Sequence, residues 1–510
     1  PVVDCNAKPF GSLCDLVWDA AKQNTEISLS SESRNIYSYD SSVNSGQAPG
    51  IDFHWSSLNA QQRSFLNVDD DLGELRLRYV RGDSSHETDR GGIFKSRVGA
   101  VKDAADTRLG PIMHSSPIYV GNGKDANVFR QFSFPDDLES TSYTDFLATI
   151  ADRQPMIYVG ANDGMLHAYQ AGSTGGNEVF SYVPNEIIAS LPELMDEDFS
   201  SSAFVDGPLS SMDVFYGSEW HSVLVGGFRS GGKGYYALDI TDPNASAENI
   251  VRWEFTDDND ADVGFSYGAA QIVRLNSGSW VAIVANGYNS SDEKAILYVL
   301  DISDGSIIKK IIVDAAGQNG LSSPIAVSID KDFDIDVVYA GDLKGNIWRF
   351  DLTSTNSSDW TFSKLFATEG DRPITGALTV GNHPANRTGR VVYFGTGEYL
   401  QASDLNDSAT EYFYAIADND ECFSSSACIN SSELLSQTID SAENNGRTIS
   451  NNSIDWQQHE GWRLPLSAID GIAERVVGRP LLIGSQLVFN SIVPSSDRCN
   501  SGGETFTYSL

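Results

Sequence analysis

One pattern recurs along this chain and limits what it can fold into: a short apolar run, a glycine, a turn and a second strand-like run. It appears as SSPIYVG ending at Gly121, PMIYVGANDGMLHAY around Gly160, HSVLVGG at Gly226 and WVAIVANG ending at Gly287. It returns as DVVYAGDLKGNIWRFDL around Gly341, RVVYFG ending at Gly395 and RPLLIG ending at Gly484. Runs such as 156–159 are apolar throughout, as a strand buried on both faces requires. The Gly-Ala-Asn-Asp-Gly segment at 160–164 offers residues that tolerate φ > 0 for a chain reversal. Leu166 and Ala168 then alternate with His167 and Tyr169 as a second strand. Such a hairpin cannot bury its apolar face alone, but copies stacked radially can. Seven copies predict an all-β chain folded as a modified seven-bladed, quinoprotein-like β-propeller rather than a β-sandwich.

The copies lie further apart than the ~40–45 residues of a plain four-stranded blade, so the loops carry long insertions. The ring is expected over 101–510, with a Ser-, Asn- and Asp-rich insertion at about 402–460. Residues 1–100 carry fewer strand signals and read as a leading segment that packs on or closes the ring. RNIYSY (34–39) and LRLRYVRGD (75–83) are its expected strands, and LCDLVWDAAK (13–22) is the best helix candidate. A chain of 510 residues exceeds an ordinary domain, but a propeller escapes that limit because each blade adds its own small core.

Charge excludes some functions. The 34 basic and 70 acidic residues leave a net charge of −36, which repels nucleic-acid phosphates and anionic lipid headgroups. No apolar run reaches the length of a membrane span, so no direct membrane insertion is expected. The chain begins with Pro rather than Met, as a processed or excised piece of something longer would. Cys5 and Cys14, and Cys422 and Cys428, sit close in polar loops without histidine neighbours, a spacing that suits two local disulfides better than zinc. Cys499 is left over. Two such bridges fit a location outside the cytoplasm, which is expected for this chain.

The best chemical site is SIDKDFDID at 328–336. Asp330, Asp332, Asp334 and Asp336 fall within seven residues, with Lys331 among them. Unit charges ~4 Å apart repel by ~1 kcal/mol in bulk water and several-fold more near a protein surface. A Ca²⁺ ion with six to eight oxygen ligands removes that repulsion. The alternative is an ordinary strand with Ile329, Phe333, Ile335 and Val337 inward and the aspartates outward. NVDDD (67–71) and DDNDADVG (257–264) read as solvated turns. His114, His167 and His221 read as satisfied blade histidines, and Arg81-Gly82-Asp83 as structural rather than a recognition tripeptide. The glycine-rich GFRSGGKG (227–234) lacks the helix and lysine spacing of a phosphate loop. No catalytic constellation is identifiable, and no enzymatic activity is expected.

Eight strings occur in a telling order: RGD (81–83), LGPIMHSSPIYVG (109–121), VGFSYGAAQIVRL (263–275), WVAIVANGYNS (280–290), VVYAGDLKGNIWRFDL (337–352), RPITGALTV (372–380), VVYFGTGEYL (391–400) and ERVVGRPLL (474–482). In this order they resemble the PilY family of type IV pilus biogenesis and adhesion proteins, over residues 34–510. The resemblance implies a propeller at a pilus tip, at the cell surface or in the periplasm. Minor pilins would be its partners, and host-cell or abiotic surfaces its adhesive targets. It implies a von Willebrand A-like domain ahead of this region, and a calcium loop tied to pilus extension and retraction, hence to twitching motility and virulence. That loop's ligand positions fall on Ser328, Asp330, Asp332 and Asp336, with the carbonyl of Asp334. Two residues depart from the pattern: Ser328 replaces the usual Asp, and Phe333 the usual turn glycine. The rival readings are a quinone-dependent dehydrogenase, against which stands the missing Cys-Cys pair, and a periplasmic scaffold propeller, against which stand the long insertions and the acidic loop.

Overall fold

The computed structural model describes residues 18–20, 33–43, 47–97, 108–124, 134–199, 201–385, 389–420, 422, 426–440, 447–495 and 503–510. The 13–22 helix candidate, Cys5, Cys14 and Cys499 thus lie wholly or largely outside the described residues. The chain forms two compact units, Pro1–Ile272 with Asp301–Ser306, and Val273–Leu300 with Ile307–Leu510. The described strands make seven sheets, of six, four, five, four, five, two and three strands.

In the first unit the leading segment supplies part of a blade. Ile36–Tyr39 pairs in parallel with Glu178–Val183 and antiparallel with Gly50–Asp52, extending the meander built from Ile118–Val120, Met156–Gly160 and Leu166–Gln170. The second sheet runs through Leu209–Tyr216, Glu219–Gly227, Gly234–Asp239 and Val251–Thr256. Tyr158, Phe180 and Tyr182 of the first sheet share one core with Leu224, Tyr236 and Leu238 of the second. Leu166 and Ala168 enter that core, and on the other face His167 stacks on Tyr169 (5.6 Å between rings), so all four residues are buried. The expected in-and-out alternation of this strand does not appear.

The repeat maps onto the sheets with one merger. Ile118 lies opposite Tyr158, so the Gly121 and Gly160 copies are neighbours in a single sheet. The glycine at Gly160 also has a different task from the one expected. The positive φ of its turn belongs to Gly164 (φ 92°). Gly160 ends its strand, and a Cβ there would stand 2.1 Å from the Val205 carbonyl oxygen. At Gly395 a Cβ would stand 2.2 Å from Val476 Cβ. These glycines let neighbouring segments approach closely, as glycine inside a strand commonly does.

One expected strand is a helix. LRLRYVRGD contributes to a helix over Gly73–Val80, which follows a helix over Ala60–Asn67. Leu and Arg are good helix formers without β-branching, and Leu77, Tyr79 and Val80 face the core with Leu75 partly covered. Two-residue alternation over so short a stretch does not separate the periods. The first helix begins with a capping box in which Asn59 Oδ1 accepts from Gln62 N (2.9 Å) and Gln62 Oε1 accepts from Asn59 N (3.0 Å).

In the second unit consecutive sheets stack face to face. Val281, Ile283 and Leu297 pack with Val338, Trp348 and Phe350. Val337, Tyr339 and Ile347 pack with Val392, Phe394 and Tyr414. Phe413 and Leu464 meet Leu487 and Phe489, with the Phe413 and Phe489 rings stacked at 3.8 Å. Each such side chain contributes roughly 1.5–3 kcal/mol by leaving water. Within 402–460, Glu411–Asp418 is a mid-sheet strand paired with Arg390–Gly395 and Gly461–Leu466. The following polar stretch carries a two-stranded ribbon, Ile439–Asp440 with Thr448–Ile449, and the Cys422–Cys428 disulfide.

Candidate functional site

The acidic segment links Ile325–Val327 to Val337–Gly341, which pair with each other in the fourth sheet. It is a loop. Lys331 and Phe333 take φ of +67° and +78°, values that interrupt a strand and favour glycine. Phe333 thus adopts a left-handed backbone that glycine favours, and its ring stays exposed. The inward-facing strand that was the alternative reading is therefore not formed. Asp334–Ile335 reaches across to pair in parallel with Arg274 and Leu275 of the third sheet.

The four aspartates have different surroundings. Asp336 is buried; its Oδ2 accepts from Ile329 N (2.7 Å) and its Oδ1 from Asn276 Nδ2 (3.2 Å). Asp334 is drawn off by Arg274, whose guanidinium donates to Oδ1 at 2.6 Å. Asp330 and Asp332 stay at the exposed rim with Ser328. Asp330 Oδ1 accepts from Asp332 N (3.3 Å), Asp332 Oδ1 from Asp334 N (3.0 Å), and Ser328 Oγ from Lys331 N (3.0 Å). Slight desolvation and the adjacent Asp330 and Asp334 carboxylates push the Asp332 carboxyl above its ordinary pKa. This donor set is all hard oxygen, which suits Ca²⁺. Among the described residues, however, no three acidic, His or Cys side chains converge as a ligand set. The structure brings Ser328, Asp330 and Asp332 together and holds Asp336 at the base, with Asp334's side chain turned away.

Other motifs resolve as structure. Arg81 is buried, donating from NH1 to the Phe53 carbonyl (2.9 Å) and from NH2 to the Arg34 carbonyl (2.9 Å), so the tripeptide is not presented to a receptor. The 67–71 acids form the turn between two helices, where Asp70 pairs with Arg76 and its carboxyl falls to about 2, chiefly through that hydrogen bond. In the 257–264 turn, Asp257 lies 3.7 Å from Lys233 Nζ. In the glycine-rich stretch, Lys233 N donates to Glu186 Oε1 (3.0 Å). His114 meets Asp206 (2.5 Å), and His221 meets Asp239 (2.7 Å).

His167 belongs to a network that its strand position did not reveal. Its Nδ1 lies 2.7 Å from Glu178 Oε1 and its Nε2 3.0 Å from Asp163 Oδ2. Arg34 clamps Glu178 in a bidentate pair, Nε to Oε2 at 2.7 Å and NH2 to Oε1 at 2.8 Å. Burial alone would depress the imidazole; the Asp163 and Glu178 carboxylates outweigh it and push His167 up to about 9. Burial would raise Glu178, but Arg34 and His167 hold it well below the usual carboxylate range. Residues distant in sequence meet here, and only Arg34's place beside a strand hinted at it.

Residues 109–452 match the family described as the PilY1 beta-propeller domain. The chain is 32% identical, over 91% of its length, to the type IV pilus biogenesis factor PilY1 of Pseudomonas aeruginosa strain PAK, covering 43% of that protein. It is 31% identical, over 85% of its length, to a PilY1 homolog of Xylella fastidiosa strain Temecula1, covering 31% of that protein. The chain thus spans less than half of these relatives. The crystal structure of the Pseudomonas aeruginosa PilY1 C-terminal domain superposes with a TM-score of 0.64 at 29% identity, covering 77% of this chain and 85% of that one. The fold is a β-propeller, and the chain belongs to the PilY1 beta-propeller domain family.

Proposed function

We propose that this chain is the propeller of a type IV pilus tip protein that acts in pilus biogenesis, outside the cytoplasm, by binding rather than catalysis. The observation that carries the reading is sequence identity sustained over 91% of the chain to a type IV pilus biogenesis factor. The Cys422–Cys428 bridge supports an oxidising location. Among the described residues no helix is long and apolar enough to cross a membrane. In this reading minor pilins are the partners and surfaces or host cells the adhesive targets. The 328–336 loop binds one Ca²⁺ through Ser328 Oγ, Asp330, Asp332, Asp336 and the Asp334 carbonyl. Bound calcium neutralises the crowded rim and sets how the loop is held, which regulates pilus extension and retraction.

Deleting the encoding gene in its own bacterium and counting surface pili tests the first part; wild-type piliation without the gene overturns it. Calorimetric titration of chelator-stripped protein tests the second. Wild type is expected to take up one calcium and Asp336→Ala none, and identical uptake by both removes the loop from the mechanism.

A further inference from the structure

Beside the acidic loop, within the second unit, lies a cleft of about 710 Å³, within the range that houses drug-sized ligands. Its sides are the strands Ile325–Val327 and Thr379–Asn382, with Leu482 and Ser485 closing a third side. Among the described residues each of those two strands is the terminal strand of its sheet and pairs along one edge. A terminal strand offers backbone N–H and C=O groups in register for an added strand. The cleft also has a sign. Of the acidic loop, only Ser328 and Lys331 line it, and none of the aspartates does. Arg390 stands on the opposite wall, held by hydrogen bonds to the Ile329 carbonyl (2.9 Å) and the Gly389 carbonyl (3.3 Å). Among the described residues no carboxylate lines this cleft, in a chain of net charge −36. Gly381 keeps it open: a Cβ there would stand 2.6 Å from Leu482 Cδ2 and 3.3 Å from Tyr393 Cε2.

We propose that this cleft binds an extended acidic peptide segment of a partner protein, pairing its backbone along the free strand edges and its carboxylate with Lys331 and Arg390. The inference goes beyond the reading of the chain as a pilus protein and does not depend on calcium, so its test is run in chelator. Apolar contacts from Val327, Val380 and Leu482 seat alternate side chains, while the two cations select against neutral sequences.

The probe is a pool of blocked, fluorescein-labelled octapeptides of alternating Val and Thr, with one Asp or Glu at each position in turn. A matched pool carries Asn or Gln instead. Fluorescence anisotropy on the whole chain is expected to show tighter binding of the acidic pool, weakening with salt. Lys331→Gln is expected to weaken the acidic pool about tenfold and leave the neutral pool unchanged. Gly381→Val, which pushes on Leu482, is expected to weaken both pools; a thermal melt matching wild type establishes that it is folded. Equal binding of the two pools by wild type, or no binding at millimolar peptide, overturns the proposal. So does unchanged acidic binding by Lys331→Gln. N-acetylneuraminic acid displacing the fluorescent peptide at lower concentration than unlabelled acidic peptide would assign the cleft to sugar acids instead and overturn it too.

Discussion

Two regions of this molecule crowd carboxylates, and they resolve the crowding in opposite ways. Around His167, the Asp163 and Glu178 carboxylates are met by the imidazole and by the Arg34 guanidinium, within hydrogen-bond distance and largely shielded from water. In the 328–336 loop Asp334 alone has a cationic partner among the described residues, Arg274, and Asp330 and Asp332 face each other across exposed backbone. The first cluster is complete as it stands and ties the leading segment to the first sheet. The second is left with surplus negative charge at its rim. A buried charge must be paired or it unfolds the protein, whereas an exposed one can wait for a ligand. Compensation therefore separates structural acid clusters from candidate binding ones.

The contrast can be broken most directly at Glu178. Glu178→Ala leaves Arg34 buried without its carboxylate and His167 with Asp163 alone, and is expected to cost about 3–5 kcal/mol in urea unfolding. A loss below 1 kcal/mol would mean that the network is not the clamp its geometry implies. The pH profile follows from the same groups. His167 has a folded pKa raised to about 9, so its stabilisation is complete below its unfolded value of ~6.5 and is lost as pH rises through 9. Glu178 is depressed, so its share is present above ~4.5 and lost as pH falls through its lower folded value. Wild type is expected to be progressively destabilised between about pH 6.5 and 9 by up to about 3 kcal/mol. His167→Gln, read by thermal melts across that range, is expected to flatten the alkaline limb.

Smaller effects are expected in the loop. Asp336→Ala removes the acceptor of Ile329 N and Asn276 Nδ2 and is expected to cost about 1–3 kcal/mol without metal. A cost as large as that at Glu178 would erase the distinction between the two regions. Asp332→Asn is the mildest test. It removes a charge from a crowded, exposed rim and is expected to change stability by less than about 0.5 kcal/mol, towards greater stability, in calcium-free denaturation. A marked destabilisation would show that Asp332 holds the loop as it stands.

Much of this was readable from the amino-acid order. The strand Val337–Gly341 is apolar and fully buried, because one face packs on the third sheet and the other on the fifth. The spacing of Asp330, Asp332 and Asp336 pointed to the loop, and that of Cys422 and Cys428 to their bridge. The helix over Gly73–Val80 was misread because five residues of alternation are compatible with either period. Gly160 and Gly395 were read as turn residues because a sequence records that a Cβ is missing but not which neighbour fills its place.

Local order thus determined the all-β class, the hairpin units and the acidic loop, since each depends on residues within a few positions of one another. Tertiary structure alone decided which copies share a sheet, that Arg34 meets Glu178 across 144 positions, and that Lys331, Gly381 and Leu482 border one cleft. Those outcomes depend on which sheets stack and how closely. That is settled by the summed burial of many apolar side chains, and no single stretch of the chain encodes it.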